Sequence, residues 1–178
     1  MTNRFLVVLI LIVSIISCAQ PNSEDADRGY HVKIGDKVEN IKFTLTDGST
    51  IELDDLRGKV VVLQFTASWC SVCRKEMPFL EKEVWQQYKN DEFILIGVDY
   101  DEPLEKVLAF TEKMKITYPM SLDPEGEIFM KFSEKGSGVT RNVIIDKKGN
   151  IAYLTRLFDR EEFDSMKEKI KKLVKKNV

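Results

Sequence analysis

The 178-residue chain predicts an α/β fold: a mixed central β-sheet with helices on both faces, an N-terminal β-hairpin and a helical insert. Three observations carry this. Residues 60–65, but for Gln64, and 93–98 are apolar throughout, as in strands covered on both faces. Stretches between and after them repeat apolar residues at helical spacing. Paired apolar runs around Asp47-Gly48 and around Lys147-Lys148-Gly149-Asn150 read as hairpins.

In chain order, residues 41–45 and 49–53 alternate apolar and polar positions and form the first hairpin. Residues 54–57, closed by Gly58, read as a short turn or helical cap. Residues 60–65 are a central strand. A helix from Cys70 carries Met77, Leu80, Val84 and Tyr88 as its core stripe. Pro78 removes one backbone donor inside it and predicts a kink there. After the strand at 93–98, Pro103 starts a helix over 103–115 with Leu104, Val107, Leu108 and Met114 as its apolar face. Tyr118-Pro119 ends that segment, and Asp123-Pro124-Glu125-Gly126 is a turn. Residues 143–145 and 151–154 make the second hairpin. Asp159 with Glu162 forms a capping box for a last helix. Its buried stripe is Phe163, Met166, Ile170, Leu173 and Val174. Lys167, Lys169, Lys171, Lys172, Lys175 and Lys176 make a solvated face.

Composition is that of one globular domain with appendages: 43% hydrophobic, 31% charged, net charge −2. That charge gives no electrostatic ground for nucleic-acid binding. Asn3-Arg4 supplies a positive start, and the nearly apolar residues 5–16 are too short for a mature membrane span but right for a signal-peptide core. The run ends in Ile15-Ile16-Ser17-Cys18, which resembles a bacterial lipoprotein signal whose cysteine is lipidated. An ordinary secretory signal and a buried core segment are the alternatives. The expected organisation is a signal peptide over 1–17, a flexible polar tether over 18–30 and one domain over 31–178. Lipidation of Cys18 makes the protein an extracytoplasmic, membrane-anchored lipoprotein facing the periplasm, where disulfides are the usual cysteine chemistry.

The chemistry centres on Trp69-Cys70-Ser71-Val72-Cys73, where a strand becomes a helix. Unpaired N–H groups and the helix dipole favour an anion there, so the Cys70 thiolate is stabilised as a nucleophile. Cys73 lies one turn on and can attack a mixed disulfide to release product. A zinc site would need two more soft ligands, and only Cys18 and His31 remain, unpaired with anything. An inert structural disulfide is the plainer alternative. Trp69 can shield the sulfur and offer an apolar platform to a partner's peptide, or simply pack.

The run from Val61 through Cys70-Ser71-Val72-Cys73 to Pro78 resembles the active-site segment of the thioredoxin superfamily. More narrowly it resembles the extracytoplasmic, membrane-tethered thiol-disulfide oxidoreductases of the TlpA/ResA type. Phe43-Thr44-Leu45, Leu53-Asp54-Asp55-Leu56-Arg57-Gly58-Lys59 and Val143-Ile144-Ile145-Asp146 carry the likeness over about residues 33–175. The resemblance implies a thioredoxin-like fold in which the helix 103–115 is the insert. It also implies a monomeric enzyme that exchanges disulfides with protein substrates and with a membrane or periplasmic redox partner. No cofactor or metal beyond the redox-active pair is expected. Gln64 stands where cytosolic thioredoxins carry a proton-transferring carboxylate, and a glutamine cannot titrate. Glu76 stands where ResA-like proteins carry a glutamate, and it can take the proton Cys73 must lose, unless it is an exposed surface residue. Thr140 falls where the family usually has a cis-proline. A cis bond before threonine costs about 2.5–4 kcal/mol, so a trans peptide is expected, with Thr140 in the substrate loop.

Competing functions fit less well. A peroxiredoxin-like thiol peroxidase wants a proline and a Ser/Thr where Leu63 and Ala67 stand. A copper-delivery lipoprotein usually adds a downstream histidine, and none follows His31. A non-catalytic binding domain would not need two intact cysteines.

Overall fold

The computed structural model describes residues 28–175. The signal peptide, Cys18, most of the tether and Lys176 therefore lie outside the described residues. Seven strands form one mixed sheet: β1 (Lys42–Leu45), β2 (Thr50–Glu52), β3 (Val60–Thr66), β4 (Phe93–Tyr100), β5 (Met120–Asp123), β6 (Arg141–Ile145) and β7 (Ile151–Arg156). Their order is β2-β1-β5-β4-β3-β6-β7. β3, β4 and β5 run parallel, and the hairpins β1–β2 and β6–β7 flank them antiparallel. This is the thioredoxin-like α/β fold.

The helices are α1 (Ser71–Leu80), α2 (Gln86–Tyr88), α3 (Leu104–Met114) and α4 (Arg160–Lys175). β3 is buried along its whole length, so alternate side chains feed two separate cores. Val60 and Val62 meet Met77, Leu80 and Val84 below α1, Val107 and Phe110 of α3, and Phe163, Met166 and Ile170 of α4. Val61, Leu63 and Phe65 face the other way, into Leu53, Leu56, Phe129 and Phe132. Helices thus lie on both faces but unequally. The long ones share one face, and the 3-10 turns Leu53–Leu56 and Phe129–Lys131 cover the other.

The structure corrects four local expectations. β5 is a full strand paired to β4 and β1, so α3 and β5 together form the insert. On α3 the buried residues are Val107 and Phe110, whereas Leu104 and Leu108 face solvent. At 100° per residue, 104 and 108 lie about a quarter and a third of a turn from the centre of the face shared by 107, 110 and 114. At Pro78 the helix continues, and the irregularity appears one turn later as a π turn over Glu81–Trp85, where the Glu81 N–H is shared by Met77 O and Pro78 O. The capping box is half formed. Asp159 Oδ1 accepts from the N–H groups of Glu161 and Glu162 (both 3.0 Å), but Glu162 turns to Arg28 (2.7 Å).

Residues 28–30, expected as the end of the tether, pack against the domain. Arg28 is ion-paired to Glu162, and the Tyr30 hydroxyl donates to Thr155 O (2.6 Å) with Arg141 stacked 4.6 Å from its ring. An aromatic ring with a satisfied hydroxyl gains more from burial than from a solvated linker.

Candidate redox site

β3 delivers the chain to Ala67, and the Cys70 N–H turns back to Ala67 O (3.0 Å), which sets Cys70 at the N-cap of α1. Its sulfur accepts from the Cys73 N–H (3.1 Å), the position of an N-cap side chain on an orphan donor. Cys70 and Cys73 form a disulfide, their Cα atoms 5.3 Å apart. Cys70 is 9% exposed and Cys73 fully buried, so only the first residue of the pair reaches the surface. Ala67, Val139, Val72 and Tyr100 wall the pair. Trp69 is 57% exposed beside it, which rules out simple core packing for that ring.

The spacing from Asp146 correctly sets Thr140 against the cysteines. Its Oγ1 lies 3.0 Å from Cys70 Sγ and 3.2 Å from Cys73 Sγ. No cis peptide occurs among the described residues. The contact is made by the hydroxyl, which can donate to whichever sulfur carries negative charge. Arg141 braces this loop, donating to Gly138 O (3.0 Å), Ser137 O (2.9 Å) and Arg28 O (2.7 Å) while fully buried. Leu157, in the left-handed region at φ 64°, donates its N–H to Thr140 O (2.9 Å) and is 49% exposed. Thr140 is therefore held from both sides, and an apolar residue stands at the rim.

Glu76 is 2% exposed, so the surface alternative fails. It lies one turn beyond Cys73 on α1. Its Oε1 accepts from Asn142 Nδ2 (2.7 Å), whose amide also donates to Thr155 Oγ1 (2.9 Å). Oε2 has no hydrogen-bond partner among the described residues. Burial pushes the carboxyl up to about 7, against the opposing pull of the Asn142 and Gln64 amides. Gln64 sits across β3–β6 from Asn142 in register and accepts from the Tyr118 hydroxyl (2.7 Å). Gly97 faces Gln64 on β4. A Cβ there would collide with Met120 Sδ at 2.2 Å and crowd the Tyr118 ring at 3.2 Å, so the missing side chain leaves room for both. The arrangement offers a buried carboxyl that binds and releases a proton near neutrality, on the helix of the buried sulfur.

Sequence reasoning missed Asn142, Tyr118, Arg141 and Leu157. The β3–β6 register would have pointed to Asn142. Nothing local marks Tyr118 and Leu157, whose partners lie far along the chain, and Arg141 joins its near neighbours Ser137 and Gly138 to the distant Arg28.

A family model described as Redoxin matches residues 33–171. The thiol-disulfide oxidoreductase ResA of Bacillus thuringiensis subsp. konkukian (strain 97-27) is 30% identical over 151 residues, 82% of this chain and 84% of that protein. ResA of Bacillus anthracis is 33% identical over 121 residues, covering 67% and 68%. A solution structure from Bacteroides thetaiotaomicron, described as a protein disulfide isomerase, is 54% identical with a TM-score of 0.81, covering 83% of this chain and 94% of that one. A thiol:disulfide interchange protein DsbE from Chlorobium tepidum shares the fold at 23% identity and TM-score 0.71, covering 80% and 99%.

Proposed function

This chain belongs to the Redoxin family and is a thiol-disulfide oxidoreductase, and from that premise we propose how its residues act. Cys70 is the nucleophile and Cys73 the resolving thiol. The observation that carries this is the asymmetry of the pair: one sulfur capping α1 at the surface, the other buried behind it.

In the reduced enzyme the Cys70 thiolate attacks one sulfur of a substrate disulfide. That S–S bond breaks, and the first substrate thiolate leaves. A mixed disulfide now joins substrate to Cys70. Cys73 gives its proton to Glu76 and attacks Cys70 Sγ. The Cys70–Cys73 bond forms, the second substrate thiolate is expelled, and two electrons have passed to the substrate. The reverse sequence oxidises a dithiol through the same atoms. The Cys73 N–H and the Thr140 hydroxyl support the Cys70 thiolate. Trp69, Thr140 and Leu157 form the rim against which an extended protein segment docks.

We read the substrates as protein thiols and disulfides outside the cytoplasm, with a membrane or periplasmic redox partner. The Ser17-Cys18 junction after the apolar run supports anchoring by a lipid on Cys18. Among the described residues no helix is long and apolar enough to cross a membrane, so the support for an anchor is this leader alone.

Substrate trapping tests the assignment. Cys73→Ala should accumulate mixed disulfides with partner proteins, and Cys70→Ala should not. Equal trapping by both variants would overturn it.

A further inference from the structure

Ser68 lies two residues before Cys70 and carries Trp69 behind it, and all its backbone and side-chain polar groups converge on two partners. Its N–H and its hydroxyl both donate to Glu102, the hydroxyl at 2.8 Å to Oε1. Its carbonyl accepts from Arg74 Nη1 (2.6 Å). The Glu102 side chain is only 2% exposed, although it belongs to the β4–α3 loop, and Lys106 pairs with its Oε1. Two features aim it inward. Asp101 adopts φ 53°, unusual for a residue other than glycine. The Asp101 N–H donates to Asp123 O (3.0 Å), and its own Oδ1 accepts from the Glu125 N–H (3.0 Å), which pins the turn.

Three residues before Glu102 lies Asp99, on β4 opposite Thr66 and fully buried. Neither of its oxygens has a donor among the described residues. The carboxyl that acts on it most is Glu102, itself an acceptor. Two carboxyl groups can face each other inside a protein only if one of them carries a proton. Burial first, then the negative charge of Glu102, push Asp99 up to about 7; Asp123 of β5 adds to this and Lys106 of α3 opposes it. Burial would raise Glu102 too, but the bonds from Lys106 and Ser68 outweigh it, and Glu102 stays below its usual range. If the two carboxyls share one proton, it belongs on Asp99, whose carboxyl can then donate to Glu102.

We propose that Asp99 and Glu102 form a one-proton carboxyl–carboxylate clamp on Ser68, which positions the Trp69–Cys70 segment for exchange. This rests on the reading of Cys70 as nucleophile and deepens it. Glu102 and Asp99 are positioning residues, since neither has a hydrogen bond to a sulfur. Arg74, from α1, closes the clamp at the Ser68 carbonyl. When Asp99 loses its proton, two anions face each other and the grip on Ser68 weakens, so the segment loosens as pH rises.

The test reads Trp69 in the full-length oxidised protein, where neither cysteine titrates. A Trp85→Phe background leaves Trp69 as the sole indole. Between about pH 5 and 9, its emission and acrylamide quenching should show one step near neutrality. The step should persist in Glu76→Gln, which removes another buried carboxyl raised to about 7, and vanish in Asp99→Asn, whose amide can still donate to Glu102. In the reduced protein, Glu102→Ala should cut exchange with a protein disulfide about tenfold or more, and Glu102→Gln, which keeps one acceptor, should recover part of it. A step unchanged in Asp99→Asn, no step at all, or equal loss in Glu102→Ala and Glu102→Gln would overturn the clamp. If Glu102→Ala does not fold, the Asp99→Asn titration decides alone. Failure of Cys73→Ala to trap partners would instead refute the exchange reading while leaving the Trp69 step intact.

Discussion

Replacing Glu76 by glutamine removes one ionisable group and little else in shape, and its consequences can be worked from the structure. The carboxyl is raised from 4.5 to about 7 by burial. In the unfolded chain it ionises near its ordinary value. Between the two values the unfolded chain loses a proton that the folded protein keeps. Stability from this group is therefore fully present below about pH 4.5 and is lost as pH rises through 7. At 1.36 kcal/mol per pKa unit the loss is about 3 kcal/mol. Urea unfolding of the oxidised protein, compared across this range, should show Glu76→Gln gaining about 3 kcal/mol on the native protein as pH rises. Asp99 contributes to both curves and drops out of the difference. The same substitution removes the proton acceptor proposed for Cys73. Resolution of the mixed disulfide should slow by on the order of 10²-fold and lose its dependence on pH near 7. Parallel stability curves for the two proteins, or an unchanged pH–rate profile, would refute the reasoning.

Other substitutions probe the surroundings. Thr140→Val keeps the shape but deletes the hydroxyl beside both sulfurs, so the Cys70 thiolate should lose a donor and react more slowly near neutrality, read from alkylation rate against pH. Arg141→Ala leaves three carbonyls without their donor and should cost about 3 kcal/mol in chemical denaturation, with weaker exchange as the Thr140 loop loosens. Tyr118→Phe, which frees Gln64 Oε1 inside the core, should cost about 1–2 kcal/mol by the same assay. Leu108→Ser, on the solvent side of α3, should change stability by less than about 0.5 kcal/mol; a larger loss would show that this face is covered.

The central strands, both hairpins and the Cys70 helix were legible because their signals are local. A continuous apolar run is a doubly covered strand, and two cysteines at a strand–helix junction are a redox pair. The place of Thr140 was legible by counting back from Asp146 along β6. β5 was not, because four residues behind a proline give too little alternation to separate a strand from a loop. The face of α3 was misread because Leu104, Val107, Leu108, Phe110 and Met114 admit two stripes, and the packing against α1 and the sheet decides which is buried. The polar interior was the least legible part. Glu76 meets Asn142 across 66 residues and Ser68 meets Glu102 across 34, and no local pattern encodes such pairings.

The account turns on which sulfur reacts. The reduced protein should be treated with a limiting alkylating agent over a range of pH, and the labelled cysteine identified by peptide mass. Cys70 should be modified first, with a midpoint below the ordinary cysteine value of about 8.5, while Cys73 stays protected until the protein unfolds. Preferential labelling of Cys73, or equal labelling with an ordinary midpoint, would contradict it.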